Sequence, residues 1–309
     1  MPDKNKVHRQ SLKIPKPILV TAKILEITSQ KLAAKFAMKI FTTPMKFKIP
    51  KREVEMDAKS RQELLPVNEL KKSINVYHYG SSDKKVLLVH GWSGRGTQLH
   101  SIADKLIKEG FSTLSFDAPA HGKSTGKTSD MTEFIASILE LEKRYGPFEY
   151  AVGHSLGAMA VLNAVKRGLN VKKVVCIGSG DVIEDIMYGF SKQMGMNIAT
   201  GKLMIKLFEK KFGETINTYS AYIAAKEVTI PVLIFHDEDD EDVPVSASHH
   251  IAQHLADARI VVTKGLGHRK ILGDSKVIKQ IIEFLKYEKN NDAGAPAGAH
   301  SVPGAGKEN

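Results

Sequence analysis

Residues 151–160 read AVGHSLGAMA: one serine between two glycines, with an apolar run before it and a helix-like run after it. A serine hydroxyl is a weak nucleophile until a base takes its proton, and that base needs a third group to hold it. The chain offers both downstream. His268 stands in GLGHRKIL, and a run of six acids, Asp237 to Asp242, stands in FHDEDDEDVP. The order serine, acid, base is met by Ser155, Asp240 and His268. Those three residue types in that order suit acyl transfer through a covalent acyl-enzyme.

The spacing around the serine has a steric meaning. A sharp strand-to-helix turn lifts the hydroxyl above a sheet edge and needs small residues two before and two after it. Gly153 and Gly157 meet that need, and His154 completes the elbow, directed away from the serine. The following helix N-terminus offers unpaired N–H groups, of which Leu156 N–H is the first candidate for an oxyanion hole. The remaining candidates have blander readings. The acidic run fails as an EF-hand, because its sixth position is not glycine and its twelfth is Ser248. It reads as a solvated loop with one member drawn in to the histidine. His250 and His254 have i,i+4 ligand spacing but lack a zinc hydrolase glutamate, and read as a solvated helix face. His121 reads as a turn residue, and the single cysteine, Cys176, as an inert core thiol. No metal site and no organic cofactor are expected.

These groups must be carried by something rigid. Near-continuous apolar runs, KVLLVHG, FSTLSFD, FEYAVGH, KVVCIG, PVLIFHD and RIVVT, alternate with helical patterns over 97–109, 130–145, 156–168, 245–256 and 275–287. Such strands imply an α/β fold with a mostly parallel central sheet and helices on both faces. The rhythm breaks over about 181–226, a helical stretch rich in Met and aromatic residues. It is expected to be a cap insertion covering the sheet edge, either packed plainly or lining an acyl pocket as a lid. The layout is then a basic, partly helical extension (1–70), the main domain (71–288), and an Ala/Gly/Pro-rich tail (289–309) that reads as disordered.

The net charge of +11 sits wholly in the extension. Residues 1–52 hold thirteen Lys/Arg against two acids, and the rest of the chain balances at 32 of each. A neutral main body argues against a nucleic-acid partner. Ile18, Leu19, Ala22, Leu25, Phe36 and Ile40 can share a helical face, Lys23, Lys31, Lys35 and Lys39 another, and Pro44 ends the pattern. Docking on the main domain is one reading. Peripheral membrane contact or dimerisation through this basic helix is the other. The absence of a clean signal-peptide core and the single cysteine point to a cytoplasmic location, with a membrane-peripheral one open.

Taken together, LLVHGW, FDAPAHGKS, GHSLGA, PVLIFHDEDDEDVP and GLGHRKIL resemble the α/β-hydrolase superfamily, in its serine esterase/lipase branch, over residues 85–288. The resemblance implies an α/β-hydrolase fold and a Ser155–His268–Asp240 triad. It places the second oxyanion amide at Trp92. The family's acid loop usually has glycine where this chain has Asp237, so Asp237, Asp239 and Asp242 stand as rivals to Asp240. The expected activity is hydrolysis of a carboxylic ester on a small or lipid-like molecule. Thioesterase, acyltransferase, peptidase or carbon–carbon hydrolase action on the same triad, and non-enzymatic ligand binding on a hydrolase fold, are the alternatives.

Overall fold

The computed structural model describes residues 14–287, so the tail at 289–309 and the first basic residues, Lys4 to Lys13, lie outside the described residues. Eight strands form one sheet: β1 Arg61–Val67, β2 Lys72–Tyr79, β3 Lys85–Val89, β4 Ser112–Asp117, β5 Tyr150–His154, β6 Lys173–Ile177, β7 Val232–Asp237 and β8 Ala258–Thr263. Their order is β1-β2-β4-β3-β5-β6-β7-β8. β1 and β2 are antiparallel to each other, β2 is antiparallel to β4, and every later pairing is parallel. The sheet therefore reaches back to Arg61, and six strands legible as apolar runs become eight. The two unforeseen strands are the antiparallel ones. β1 carries Arg61, Glu63 and Pro66, a composition tolerated at a sheet edge rather than in its centre.

Alternation along the central strands sorts the core into two layers. Val86 and Leu88 of β3, with Val175 and Ile177 of β6, meet α4 (His100–Lys108) and α12 (Ser275–Lys286). Leu87, Val89, Val174 and Cys176 face α5 (Met131–Tyr145) and α6 (Leu156–Lys166) on the other side. All eight of these strand residues are essentially inaccessible, which is why the runs read as continuous rather than alternating. α12 shows how local sequence serves the layer. Asp274 caps its first turn by accepting from Lys276 and Val277 N–H, and Val277, Ile278, Ile281, Ile282 and Leu285 form its buried stripe. Such a cap is worth about 1 kcal/mol.

Above the carboxyl edge of the parallel strands lie four helices from two separate parts of the chain. α1 (Lys16–Thr28) and α2 (Gln30–Phe41) come from the N-terminal extension, and α7 (Ile183–Gln193) and α8 (Ile198–Phe212) from the insertion after β6. The helical periodicity of the extension is thus broken at Ser29, whose backbone is extended and whose hydroxyl accepts from Leu32 N–H. α2 packs on α8 through Ala33, Ala34 and Ala37, all fully buried. Glu26 of α1 accepts from Asn197 N–H at 2.8 Å and from the Thr200 hydroxyl at 2.7 Å. Phe41 and Phe190 meet edge to face at 5.1 Å. Among the described residues no helix is long and apolar enough to cross a membrane.

Candidate active site

β5 ends at His154, α6 begins at Leu156, and Ser155 alone makes the turn, with φ 53° and ψ −121°. A non-glycine residue holds that backbone only where its neighbours force it. The neighbours do so by close packing. A Cβ on Gly153 would stand 2.7 Å from Ala158 N, and one on Gly157 would strike the Val89 and His90 carbonyls. Gly91 is equally close, since a Cβ there would lie 3.0 Å from the Ser155 Cβ. The turn sits beside the point where strand order reverses, between β4 and β5 on either side of β3, which is where open α/β sheets place ligands.

His268 lies in the loop after β8, within the short helix α11 (Gly267–Lys270), and its Nδ1 donates to Asp240 Oδ2 at 2.7 Å. Asp240 is the acid brought to the histidine, and its rivals serve elsewhere. Asp237 accepts from Gly267 N–H at 2.8 Å, Leu266 N–H at 3.1 Å and the Thr263 hydroxyl at 2.7 Å. Asp239 accepts from Gly265 N–H, and Asp242 faces Arg269 at 3.4 Å. The acidic run is therefore more than a solvated loop with one inward member. Besides Asp240, the carboxylates of Asp237, Asp239 and Asp242 also fasten it to the loop that carries His268.

Asp240 is saturated. Its Oδ1 accepts from Asp242 and Val243 N–H, each at 2.9 Å, and its side chain is 1% exposed. Burial opposes the charge, but hydrogen bonds from His236 and His268 outweigh it and hold the carboxyl well below the usual range. His236 is a contributor that the sequence concealed, since it reads as one more residue of a buried strand. Its Nε2–H donates to Val243 O at 2.9 Å and stands 3.4 Å from Asp240 Oδ2, while Ser248 donates to its Nδ1 at 2.6 Å.

The elbow and the histidine loop meet through His154, whose Nε2–H donates to the His268 carbonyl at 2.8 Å with the rings 4.7 Å apart. Gly178, after β6, closes the other side, and a Cβ there would lie 3.2 Å from His268 Nδ1. Burial, helped by the His268 charge, lowers the His154 pKa to about 3, so this ring is a neutral brace.

Opposite the elbow, residues 91–94 of the loop after β3 carry four amides, and three are engaged. Gly91 N–H donates to the Gln98 side chain, Ser93 N–H to His121 Nε2, and Gly94 N–H to Gly91 O. Of these four, Trp92 N–H is the one with no partner among the described residues, and Leu156 N–H at the head of α6 likewise has none. Two neutral histidines fix this loop. His90 donates to Gly91 O and accepts from Ala118 N–H, and His121, with its pKa lowered to about 4 by burial, accepts from Ser93. The extension straps the same loop: Met45 N–H donates to Ser93 Oγ, and Arg95 donates to Phe47 O.

Ser155, Leu156 and Trp92 open onto a cavity of about 450 Å³. Its walls are apolar and come from all four cap helices, including Ile18, Phe41, Ile183 and Phe208. The extension and the insertion thus build the cavity jointly.

Two candidates fall outside the site. His250 pairs with Asp181, and His254 donates to His250 O, with both rings against Tyr222. They stay half-exposed, with the His250 side chain 40% accessible, and lean on Asp181 and Tyr222 from a largely solvated helix face. Cys176 is fully buried with its thiol pushed up to about 12 by burial, so it is chemically quiet.

Comparisons with known proteins agree with this architecture. The alpha/beta hydrolase family model matches residues 86–275. A non-heme haloperoxidase of Rhodococcus erythropolis is 24% identical over 242 residues, 62% of this chain and 88% of that protein. Among solved structures, an esterase of Pyrococcus furiosus superposes with a TM-score of 0.59 at 18% identity, covering 79% of this chain and 96% of its own. An esterase of Exiguobacterium antarcticum gives 0.58 at 17% identity, over 74% of this chain and all of its own. At these identities the structures establish the fold. With the family model covering more than half of the sequence, and with its sheet order and elbow in place, the chain belongs to the alpha/beta hydrolase family.

Proposed function

We propose that the protein is a serine hydrolase that cleaves carboxylic esters with an apolar acyl group. The observation that carries this is the combination of a forced-turn serine at the rim of an apolar cavity and a histidine–aspartate pair tied to the same elbow through His154. Ser155 Oγ attacks the acyl carbonyl while His268 Nε2 takes its proton. Asp240 holds the Nδ1–H tautomer and stabilises the imidazolium. Negative charge on the carbonyl oxygen is received by Leu156 and Trp92 N–H. His268 then protonates the leaving alcohol, and a water activated by the same nitrogen releases the acid. No step requires a metal or an organic cofactor.

The esterases that share the fold support this reading. The apolar walls support an acyl chain over a charged metabolite. The test is hydrolysis of p-nitrophenyl esters from acetate to palmitate, with Ser155→Ala alongside. The expected result is a rate maximum at a medium or long chain that disappears in the variant. Hydrolysis that persists in the variant, or none at any length, overturns the ester assignment. Thioesters, peptides and carbon–carbon substrates would then be tested on the same protein.

A further inference from the structure

We infer that the α1–α2 hairpin seats the protein on an anionic lipid bilayer. The two faces of α1 differ in a way a free-standing soluble protein does not require. Ile18, Ala22 and Leu25 turn inward, and Ile18 also lines the cavity. Val20, Ile24 and Ile27, at i, i+4 and i+7, form a second apolar stripe on the opposite side, 59%, 57% and 79% exposed. Leu32, just past the Ser29 turn, and Ile198, at the head of the α8 helix that Glu26 holds, are 52% and 72% exposed. Large aliphatic residues scattered singly are ordinary on surfaces, but a stripe continued onto two neighbouring helices is a contact surface.

Charge identifies the occupant. Lys16 and Lys23 lie on the exposed side of α1 with the stripe, and Lys31, Lys35 and Lys39 lie on the exposed side of α2. None of the five pairs with a carboxylate among the described residues. An apolar stripe among unpaired lysines matches a surface that is anionic at its plane and apolar just beneath it. A second copy of this chain would bring the same unpaired positive charge to the contact. The position also has a use: α1 and α2 are at once the outer surface and the wall of the acyl cavity, so docking sets that wall at the lipid boundary. That use rests on the hydrolase reading, whereas the docking itself does not.

The test is cosedimentation of the full chain with vesicles of phosphatidylcholine alone and of equal parts phosphatidylcholine and phosphatidylglycerol. Fluorophosphonate labelling and sedimentation equilibrium are read on the same samples. The expected result is binding to the mixed vesicles that weakens at least about tenfold without the anionic lipid or in high salt. I24D/I27D should bind at least about tenfold more weakly with labelling unchanged, and each Lys→Gln on the hairpin should cost up to about fivefold. Wild-type protein that is labelled yet stays in solution with mixed vesicles overturns the proposal, as does I24D/I27D binding like wild type. A wild-type dimer that I24D/I27D converts to monomer also overturns it and assigns the surface to a second copy. Protein that binds vesicles but is not labelled leaves the docking standing and counts against the nucleophile instead.

Discussion

At the edge of the sheet, Asp240, Asp237, His90, His121 and His236 are all buried and hydrogen-bonded, mostly to backbone groups of other loops. Across the cavity, α1, α2, α7 and α8 meet through alanines, methionines and aromatic rings, with Glu26 as a polar tie between the two segments. The floor is held by directional bonds that fail if an atom moves by an ångström; the roof is held by contact area, which tolerates repacking. A fixed floor suits chemistry that needs fixed geometry, and an adjustable roof suits selection among acyl chains. Substitutions should therefore divide cleanly: those in the floor should change turnover, and those in the roof should change which ester is preferred.

The largest break in that contrast is expected at Ser155, the proposed nucleophile. Ser155→Ala should lower kcat at least about 10⁴-fold for every ester, and Asp240→Asn by about 10⁴-fold through the wrong His268 tautomer. Steady-state rates with two acyl lengths check both, and a loss confined to one length would blur floor and roof.

Acid should weaken the floor before the roof. His154, His121 and His90 have folded pKa values lowered by burial, to about 3 and about 4 for the first two. An unfolded histidine titrates near 6.5, so the unfolded chain binds more protons below that value and stability falls with pH. His121 alone contributes on the order of 3 kcal/mol that is whole above about pH 6.5 and lost as pH falls through about 4. Asp240, with its pKa depressed, contributes stability present above the unfolded value near 3.9 and lost only at lower pH. Urea midpoints measured from pH 7 to 4 should decline, and His121→Asn should flatten that slope.

His236→Gln sharpens the comparison within the floor. Loss of the ring behind Asp240 should lower kcat about tenfold, the worth of a charge-assisted hydrogen bond, with KM little changed. A fall in thermal stability with no change in kcat would make His236 merely structural. In the roof, Phe190→Ala should lower kcat/KM about three- to tenfold for long-chain esters and leave acetate untouched. The smallest effect is expected at Glu26→Gln, which weakens a tie to Asn197 and Thr200. A loss of about 1 kcal/mol should lower Tm by about 2 °C, measured by differential scanning fluorimetry.

The same contrast explains what the sequence could disclose. The elbow is a local object: Gly153, Ser155 and Gly157 act on a strand and a helix that adjoin them, so the pattern carries its own context. The family resemblance points to Asp240, although the glycine that usually marks the loop is Asp237 here. The reason for that replacement lies 29 and 30 residues away, at Leu266 and Gly267, where Asp237 binds backbone amides. His236 looked like core, and it is core. Nothing local says that its ring backs a carboxylate. β1 is hidden by its charged residues and Pro66, the composition of an edge strand, and β2 by the polar Asn75 and His78 that interrupt its apolar run. The roof was least legible, since Ile18 and Phe208 come to line one cavity only after the whole sheet has folded between them.

Trp92 has one more consequence. It is the sole tryptophan of the chain, it borders the apolar cavity, and its indole stands edge-on to the His121 ring at 5.0 Å. All of the protein's indole fluorescence therefore originates at the loop after β3, the proposed oxyanion loop. Emission should shift to the blue when an acyl chain displaces water from the cavity, and dim when acid charges His121. The molecule can thus be titrated by eye of a fluorimeter, with no label attached, one loop reporting for the whole site.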